Sequence, residues 1–380
     1  MFDFLITLAK ALLVIGTCLQ VVPVLIYLER KICAYVQGRL GPNRVNLEIG
    51  YVRYLLPESL HGLVPEGIAR VKVIPGSLQP LADAIKLAFK EEIIPANTDK
   101  ALYYMAPGLA FLFIATALAF IPFGGVLEVG PGYVLGVEVG HHVINLQIAS
   151  ANIGILGLLA ISSLGVYGMA VGGWGSGSKY PLMGAVRSAA QMISYEIPMG
   201  LALVAAMVTA GTVDMQEFVR AQATSWGGFG WLVFKQPLAC LIFLVAMFAE
   251  NNRLPFDMPE AEPELVGGYH TEYSGLKFAL FFLGEYIAMI VMCSVFVTIF
   301  LGGWSLPGVV DPHGTGALNA LLSMLVFGAK VFAMLCFQLW IRWTLPRFRY
   351  DQVMSLAWKV LVPLALANLV VTAVVFTFWP

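Results

Sequence analysis

The chain has 380 residues, of which 59% are hydrophobic and only 12% are charged, and its formal net charge at pH 7 is −1. Because a soluble protein carries about 25% charged residues, this composition excludes a mainly water-soluble protein and predicts an all-α integral membrane protein. The five cysteines form no CxxC pair, so neither a cysteine-ligated metal site nor a disulfide framework is predicted. No nucleic-acid partner is predicted.

Eight apolar runs are long enough to cross the hydrocarbon core of a bilayer, which takes about 20 residues of α-helix. In chain order they cover residues 4–28, 102–123, 146–171, 186–210, 231–249, 278–302, 317–343 and 355–378. The first run has no small-residue cleavage site before the charges that follow it, so it is predicted to be a span and not a cleaved signal peptide. We therefore expect about eight transmembrane helices in a single membrane domain, residues 1–380.

The links between the runs differ in positive charge, which predicts the side on which each lies. Of the 22 Lys and Arg residues, 18 lie in or beside the links that follow the first, third, fifth and seventh runs. Cytoplasmic loops of membrane proteins are enriched in Lys and Arg. These links are therefore predicted to face the cytoplasm, or an equivalent matrix, with both termini on the opposite side.

The first basic link, residues 29–100, contains an amphipathic segment. Within residues 76–92, Leu81, Ile85 and Phe89 recur at helical spacing, with charged residues among them. This pattern predicts a helix that lies along the membrane interface. A surface helix that only braces the spans is the alternative interpretation.

Three carboxylates occupy positions where a charge is costly. Glu196 lies within the fourth run, two residues before Pro198; Glu285 lies about two turns inside the sixth run; and Glu250 closes the fifth. A charge at the centre of a membrane helix costs roughly 2.5–3.5 kcal/mol, and burial favours the protonated carboxyl form. These acids, with Lys330 as the base at depth in the seventh run, are predicted to form a proton path. Paired groups that only fix helix packing are the alternative.

The link of residues 250–277 is the most acidic part of the chain. Up to residue 275 it has a single basic residue, Arg253, and six carboxylates: Glu250, Asp257, Glu260, Glu262, Glu264 and Glu272. Prolines and apolar residues are interleaved with these acids, which predicts a packed, stiff loop lining a polar cavity, where crowded carboxylates share protons. The alternative is an exposed docking surface for a basic partner.

Five segments carry a resemblance to a known family. They are ERKICAYVQGRLGPNRV (29–45), LQPLADAIKLAFKEEIIP (78–95), GWGSGSKYPLMGAVRSAAQMISYEIP (173–198), AENNRLPFDMPEAEPELVGGYHTEYSGLKFALFFLGEY (249–286) and RWTLPRFRYDQVMSLAWKVLVPLAL (342–366). In this order they resemble the H-type membrane subunit of bacterial NADH:quinone oxidoreductase, the counterpart of subunit 1 of mitochondrial complex I. The match touches seven of the eight predicted spans.

The resemblance implies a function for the chain. In that family the subunit joins the peripheral electron-transfer arm to the proton-pumping membrane arm, forms the membrane-side part of the quinone chamber and carries no redox centre. The chain is thus expected to bind no cofactor itself, with quinone as substrate and with FMN and iron–sulfur clusters in partner subunits. The implied partners are the peripheral-arm subunit with the terminal iron–sulfur cluster, the 49-kDa-type quinone-site subunit, small membrane-arm subunits, antiporter-like subunits and the lipid bilayer. The implied location is the bacterial inner membrane.

The resemblance also assigns residues, none of them catalytic by covalent or redox chemistry. Its acidic path corresponds to Glu196, Glu250 and Glu285. The quinone chamber and its acidic loop correspond to Arg30, Arg39, Asp83, Arg253, Asp257, Glu260, Glu262, Glu264, Glu272, Phe281 and Phe282. For Phe281 and Phe282, a lipid-facing or core position is the alternative.

The chain departs from the family pattern in two places. Residues 46–76 form an insertion of about thirty residues whose role is open, and Ser150 stands where many members have an acid. Other functions remain open on the residues alone: the related membrane subunit of an energy-converting hydrogenase, a stand-alone proton-coupled transporter, or a purely structural anchor for a peripheral arm.

Overall fold

The structure, a computed structural model, describes residues 2–43, 45, 47–48, 72–130, 132–134, 137–139 and 142–378. The insertion, residues 46–76, lies outside the described residues except for 47–48 and 72–76. Most of the described chain is α-helical, so the predicted all-α membrane class is confirmed.

Thirteen α-helices lie in the described part of the chain. In chain order they are α1 (Phe2–Val36), α2 (Gln79–Ala88), α3 (Lys100–Ala117), α4 (Gly154–Gly175), α5 (Lys179–Ala210), α6 (Met215–Thr224), α7 (Leu232–Lys235), α8 (Pro237–Glu250), α9 (Glu262–Leu265), α10 (Gly275–Phe300), α11 (Ala317–Thr344), α12 (Tyr350–Ser355) and α13 (Val362–Phe378). A π-helical turn, Leu356–Leu361, joins α12 to α13 as one continuous helix. Among the described residues, seven helical stretches are long and apolar enough to cross a membrane: α1, α3, α4, α5, α10, α11 and Tyr350–Phe378.

The fifth predicted span, residues 231–249, takes a different form. Its helix is interrupted at Gln236, with φ −132° and ψ 59°, which leaves the four-residue α7 and the 14-residue α8. Pro237 causes the interruption, because a proline ring disfavours helical geometry in the residue before it. At 1.5 Å per residue α8 is about 21 Å long, shorter than a hydrocarbon core of about 30 Å. The apolar run is therefore present as a helix too short to span the core alone.

Helix α10 forms the centre of the bundle. Of its most apolar stretch 78% is buried, against 17–28% for α1, α11 and the last helix. Aromatic side chains fill the space between α8 and α10, with Phe243 lying 5.6 Å from Phe300 and 6.1 Å from Phe296 between ring centroids. Acids carried by α10 are therefore surrounded by protein, while the outer helices present apolar surface to lipid or to neighbouring subunits.

Short two-stranded hairpins occupy two of the links and were not predicted. Strands β1 (Leu47–Glu48) and β2 (Lys72–Ile74) pair in the first link. In the link between α3 and α4, β3 (Val126–Val129) pairs with β6 (His142–Asn145) around the inner pair β4 (Gly132–Val134) and β5 (Val137–Val139). The apolar run predicted from residue 146 thus begins outside the helix, because α4 starts only at Gly154.

Helices α3 and α4 pack at backbone distance through Gly168. A Cβ atom on Gly168 would lie 2.5 Å from Ala110 Cα and 2.6 Å from Ala110 N. Small residues at helix interfaces allow this close approach in membrane proteins. These two helices form one wall of the site described below.

Replacing Gly168 with alanine is expected to destabilise the protein by about 1–3 kcal/mol, because the helices must separate to admit the methyl group. The measurement is thermal unfolding of the purified native complex. Gly108→Ala is the matched control on α3, since nothing lies within 4 Å of a Cβ at that position. Equal stability of the two variants would contradict the packing argument.

Candidate functional site

A buried arginine bridges two carboxylates from different helices. Arg253, just after α8, donates from Nη1 to Glu29 Oε2 of α1 at 3.2 Å and forms an ion pair through Nε with Glu285 of α10. Arg253 and Glu29 are buried, and only 9% of the Glu285 side chain is exposed. The guanidinium also lies 4.5 Å from the centroid of the Tyr286 ring. Arg253 therefore compensates the charge of both buried carboxylates, and Glu285 depends on it most directly.

Glu29 connects this bridge to a further helix. Its Oε1 forms an ion pair with Arg342 Nη1 of α11 at 2.7 Å, and its Oε2 accepts from the Tyr286 hydroxyl at 2.6 Å. Helices α1, α10 and α11 are thus tied together by one carboxylate. Sequence reasoning missed Glu29 because the first span was predicted to end at residue 28, whereas α1 continues to Val36. The one feature of the sequence that could have pointed to Glu29 is its place in ERKICAY, the start of a segment that carries the family resemblance.

The loop after α8 is packed into the protein. Gln191 of α5 donates from Nε2 to Ala249 O at 2.8 Å, to Phe256 O at 2.7 Å and to Asn252 Oδ1 at 3.2 Å. From the other side, Arg347 donates to Asp257 Oδ2 at 2.8 Å. The loop is therefore held on both sides around Asp257, which is itself buried.

The protonation of the loop acids follows from this burial. Burial raises the pKa of Asp257, and the ion pair with Arg347 offsets only part of that effect. Burial, with Glu285 and Asp257 nearby, raises the pKa of Glu260 well above its usual range. Burial alone would lower the pKa of Arg253, but the two carboxylates it bridges keep that pKa above its ordinary value. The loop thus combines a permanent cation with acids that retain protons more readily than free carboxyl groups.

His270 lies beside these acids and is expected to be neutral. Its Nδ1 is 3.6 Å from Glu260 Oε1, and burial lowers the pKa of its imidazole to about 4. The ring packs against Phe278 at 5.2 Å between centroids. At neutral pH the His270 ring therefore adds no positive charge beside Glu260.

A cavity joins two of the predicted path acids. Its wall carries Glu250, Asn251 and Glu285, and the space open to the centre of a water molecule is about 30 Å³. The remaining lining residues, from α3, α4, α5 and α10, are mostly apolar: Ile114, Ala117, Ser162, Gly165, Met169, Met192, Ala288, Val291 and Met292. Oε2 of Glu250 has no hydrogen-bond partner among the described residues. The two acids thus share one small enclosed space inside the bundle.

Glu196 lies on α5, the helix that lines this cavity through Met192. Its Oε1 is in hydrogen-bond contact with Ser163 Oγ of α4, and its charge acts on Glu250. Pro198, two residues further along the same helix, is buried. The structure therefore places Glu250 and Glu285 on one cavity and Glu196 half-buried against α4, and the role of the three acids as a proton path stays a prediction.

Lys330, the predicted base of the path, lies elsewhere. Its ammonium donates to the carbonyl oxygens of Leu301, Gly303 and Ser305 at 2.7, 3.0 and 2.7 Å, just beyond the end of α10. From Glu285 to Leu301 the chain advances about 24 Å at the helical rise. In these contacts Lys330 satisfies carbonyls at the end of α10, and the structure does not bring it to the three acids.

The predicted aromatic residues pack within the protein. Phe281 is buried, with its ring 4.9 Å from that of Tyr273 and 5.4 Å from that of Tyr269. Phe282 is half-buried and lies 5.0 Å from the ring of Tyr286. These contacts give both rings a structural role, and a contact with quinone stays a prediction.

The other predicted chamber residues lie around the same end of the bundle. Arg30 of α1 pairs with Asp83 of α2 at 2.5 Å, which fixes the amphipathic helix against the first span. Arg39 is exposed and donates to Gln37 at 2.7 Å. Glu264 pairs with Arg187 at the surface. Glu272 is half-buried and accepts, through its backbone carbonyl, from the Tyr103 hydroxyl at 2.9 Å. The Glu262 side chain lies outside the described residues.

The amphipathic helix is present as α2, and its apolar side is exposed. Leu81, Ile85 and the adjoining Phe89 are 56%, 51% and 87% exposed. These large apolar side chains find no cover within the described chain, as expected of a surface that meets lipid or another subunit. Its position along the membrane interface stays a prediction.

No metal site is formed by the part of the chain that the structure describes, where no three His, Cys, Asp or Glu side chains come together as a ligand group. The described cysteines are all free thiols. The carboxyl groups of this site can hold and transfer protons, under the influence of a fixed guanidinium.

Comparison with known proteins identifies similar chains. The family model for NADH dehydrogenase matches residues 9–373. An H-type subunit of NADH-quinone oxidoreductase from Geobacter metallireducens is 45% identical over 370 residues, which cover 97% of this chain and 96% of that protein. NADH-quinone oxidoreductase subunit 8 of Rhodothermus marinus is 42% identical over 371 residues, covering 96% and 95%. An H-type subunit of the same enzyme from Koribacter versatilis is 42% identical over 378 residues, covering 97% and 96%.

Proposed function

Because the chain belongs to the NADH dehydrogenase family, we propose that it is the H-type membrane subunit of a proton-translocating NADH:quinone oxidoreductase. In this complex it forms the membrane-side part of the quinone chamber and connects quinone reduction to proton pumping through buried carboxylates. Its relatives carry the name of that enzyme, which does not favour an energy-converting hydrogenase subunit or a stand-alone transporter.

The observation that carries the proposal is the Arg253 bridge. Arg253 neighbours the loop acids on one side and pairs with Glu285 on the other, while Glu285 shares a cavity with Glu250. The Arg253 ion pair and the shared cavity thus connect the acidic loop to acids inside the bundle. A change of charge in the loop can reach those acids through one side chain.

This geometry supports a coupling sequence. Reduction of quinone consumes protons, and a loop acid such as Glu260 that supplies one becomes negatively charged. The new charge competes with Glu285 for Arg253. A Glu285 carboxylate that loses part of its compensation takes up a proton more readily. The proton comes from Glu250 across the cavity, and Glu196 restores the proton of Glu250.

The proposed location is the bacterial inner membrane, with the basic links on the cytoplasmic side. The bias of Lys and Arg toward alternate links supports this orientation. The acidic loop and α2 then lie on the cytoplasmic side, where a peripheral arm docks.

The proposed partners follow from the same assignment. They are the peripheral-arm subunit with the terminal iron–sulfur cluster, the 49-kDa-type quinone-site subunit, small membrane-arm subunits and antiporter-like subunits. FMN and the iron–sulfur clusters belong to those partners, and quinone is the substrate. The exposed apolar side of α2 supports contact with lipid at the chamber entrance.

Purification of the tagged chain from its native membranes tests this function. We expect other subunits, flavin and iron–sulfur clusters to co-purify, together with NADH:quinone reductase activity. A photoreactive quinone analogue should label residues between Glu29 and Phe89 or between Asp257 and Tyr286, with labelling prevented by excess quinone. A chain that purifies alone, or labelling confined to other subunits, would contradict the assignment.

A further inference from the structure

Asn251 is a buried amide that the described residues leave without hydrogen bonds. It caps the end of α8 directly after Glu250, and only 2% of it is exposed. Neither Oδ1 nor Nδ2 of its side chain has a hydrogen-bond partner among the described residues. Buried polar side-chain atoms are paired in the large majority of cases, with protein or with ordered water. Two orphaned atoms on one side chain therefore point to a binding partner.

Asn251 lines the cavity that holds two of the path acids. The same cavity is lined by Glu250 and Glu285, and Glu250 Oε2 is likewise without a partner among the described residues. Ser162, the other polar lining residue, already donates to Leu159 O of its own helix at 2.9 Å. Unsatisfied polar atoms in this space thus belong to Asn251 and Glu250, beside the Glu285 carboxylate.

The cavity has the size and the polarity that water requires. A water molecule needs roughly 10–15 Å³ of space for its centre and at least two polar partners. The space of about 30 Å³ admits about two molecules. The remaining wall is largely apolar, so these polar groups define where the molecules bind.

The backbone around Asn251 is fixed. Its N–H donates to Met247 O at 3.2 Å, and its neighbours Ala249 and Asn252 are both held by Gln191. Asn251 therefore lines the cavity from a fixed backbone position. An amide carries both donors and an acceptor, so it can orient a water molecule whichever of the two acids is protonated.

We propose that the Asn251 amide binds water in this cavity and thereby completes the proton route between Glu250 and Glu285. The Glu250 carboxylic acid gives its proton to the bound water, which releases another proton to the Glu285 carboxylate. Glu250 is left as the carboxylate, Glu285 becomes the acid, and the water is unchanged. Asn251 is a positioning residue in this step. The inference rests on the proposed proton path.

Two substitutions in the whole complex separate water binding from packing. Asn251→Leu keeps the volume but removes every polar atom, whereas Asn251→Ser loses volume but keeps a donor and an acceptor. We expect Asn251→Leu to lower pumping-coupled quinone reductase turnover by about tenfold, less than the loss of about 100-fold or more on removing a proton-transfer group itself, and Asn251→Ser to retain most of it. A packing role predicts the reverse order, because serine leaves a void. Ser294→Ala is the control: it removes a buried hydroxyl on α10, at a position that does not line the cavity.

The measurements are turnover and its solvent deuterium isotope effect, together with an experimental density map that resolves water. We expect density bonded to Asn251 in the parent complex, its loss in Asn251→Leu and an altered isotope effect in that variant. Normal turnover of Asn251→Leu, or an empty cavity in the parent complex, would overturn the inference. If Glu250→Gln lowers turnover while Asn251→Leu does not, only this inference fails. If Glu250→Gln is also without effect, the proposed path itself fails.

Discussion

Replacing Arg253 with methionine is expected to destabilise the protein by about 3–5 kcal/mol, the usual cost of removing one partner from a buried ion pair. The loss leaves Glu285 without its cation, while Glu29 keeps Arg342 and the Tyr286 hydroxyl. Thermal unfolding and the yield of assembled complex measure the effect. Methionine fills much of the space of the arginine stem, so the change is chiefly one of charge.

A second substitution distinguishes charge from packing. If the uncompensated Glu285 carboxylate causes the loss, then Arg253→Met with Glu285→Gln should recover a substantial part of the stability. A coupling energy of at least about 1 kcal/mol is expected for residues in direct contact. Strictly additive effects would show that the arginine acts through its packing on Tyr286 and not through the ion pair.

The control for Arg253 is an exposed arginine in an ion pair of the same kind. Arg220 pairs with Glu217 at 2.7 Å on α6, with exposed fractions of 31% and 56%. Arg220→Met should change stability by less than about 1 kcal/mol, because exposed pairs contribute little. A loss as large as that of Arg253→Met would mean that burial is not what makes the bridge important.

The sequence predicted the class of fold because long apolar runs have few physical solutions. Runs that must cross hydrocarbon form helices, which satisfy every backbone group internally. The predicted helix bounds differ from the observed ones at two places, where local backbone geometry decides. Pro237 interrupts the fifth predicted helix at Gln236, and the apolar residues from 146 onward precede α4. Hydropathy counts apolar residues and does not register such local backbone geometry.

The sequence predicted part of the candidate site, because charged groups inside apolar runs are conspicuous. The cost of charge in the membrane singled out Glu196 and Glu285, and the structure brings both of them to the neighbourhood of Glu250. Glu29 was missed because it lies near a span end, where a charge is not costly. Its importance comes from contacts with residues more than 200 positions away. Such long-range pairing depends on how the helices pack, and no periodicity in the chain encodes it.

The partners of Lys330 likewise depend on how the helices pack. Its depth in an apolar run placed it in the predicted proton path, but its partners in the structure are backbone carbonyls at the end of α10. A buried ammonium needs acceptors of any kind. Sequence alone shows that such a group must be satisfied and does not show by which atoms.

Glu285→Gln and Glu250→Gln are each expected to lower pumping-coupled quinone reductase turnover by about 100-fold, a typical effect of removing a proton-transfer group. Each glutamine keeps the shape of the side chain but cannot release a proton in the required range. In Glu285→Gln, Arg253 retains Glu29 as its partner, so assembly should persist. The measurements are quinone reductase activity, proton uptake in liposomes and subunit composition of the purified complex.

The matched control is a glutamate of the same chain outside the proposed path. Glu217 on α6 is exposed and pairs only with a surface arginine among the described residues, so Glu217→Gln should keep both turnover and proton stoichiometry. Assembled Glu285→Gln and Glu250→Gln complexes that behave like Glu217→Gln would refute the path. If both variants lose proton uptake but keep their turnover, quinone is still reduced. The carboxylates then act only in coupling that reduction to proton transfer, because the chemistry proceeds without the charge transfer that Arg253 conveys to the bundle.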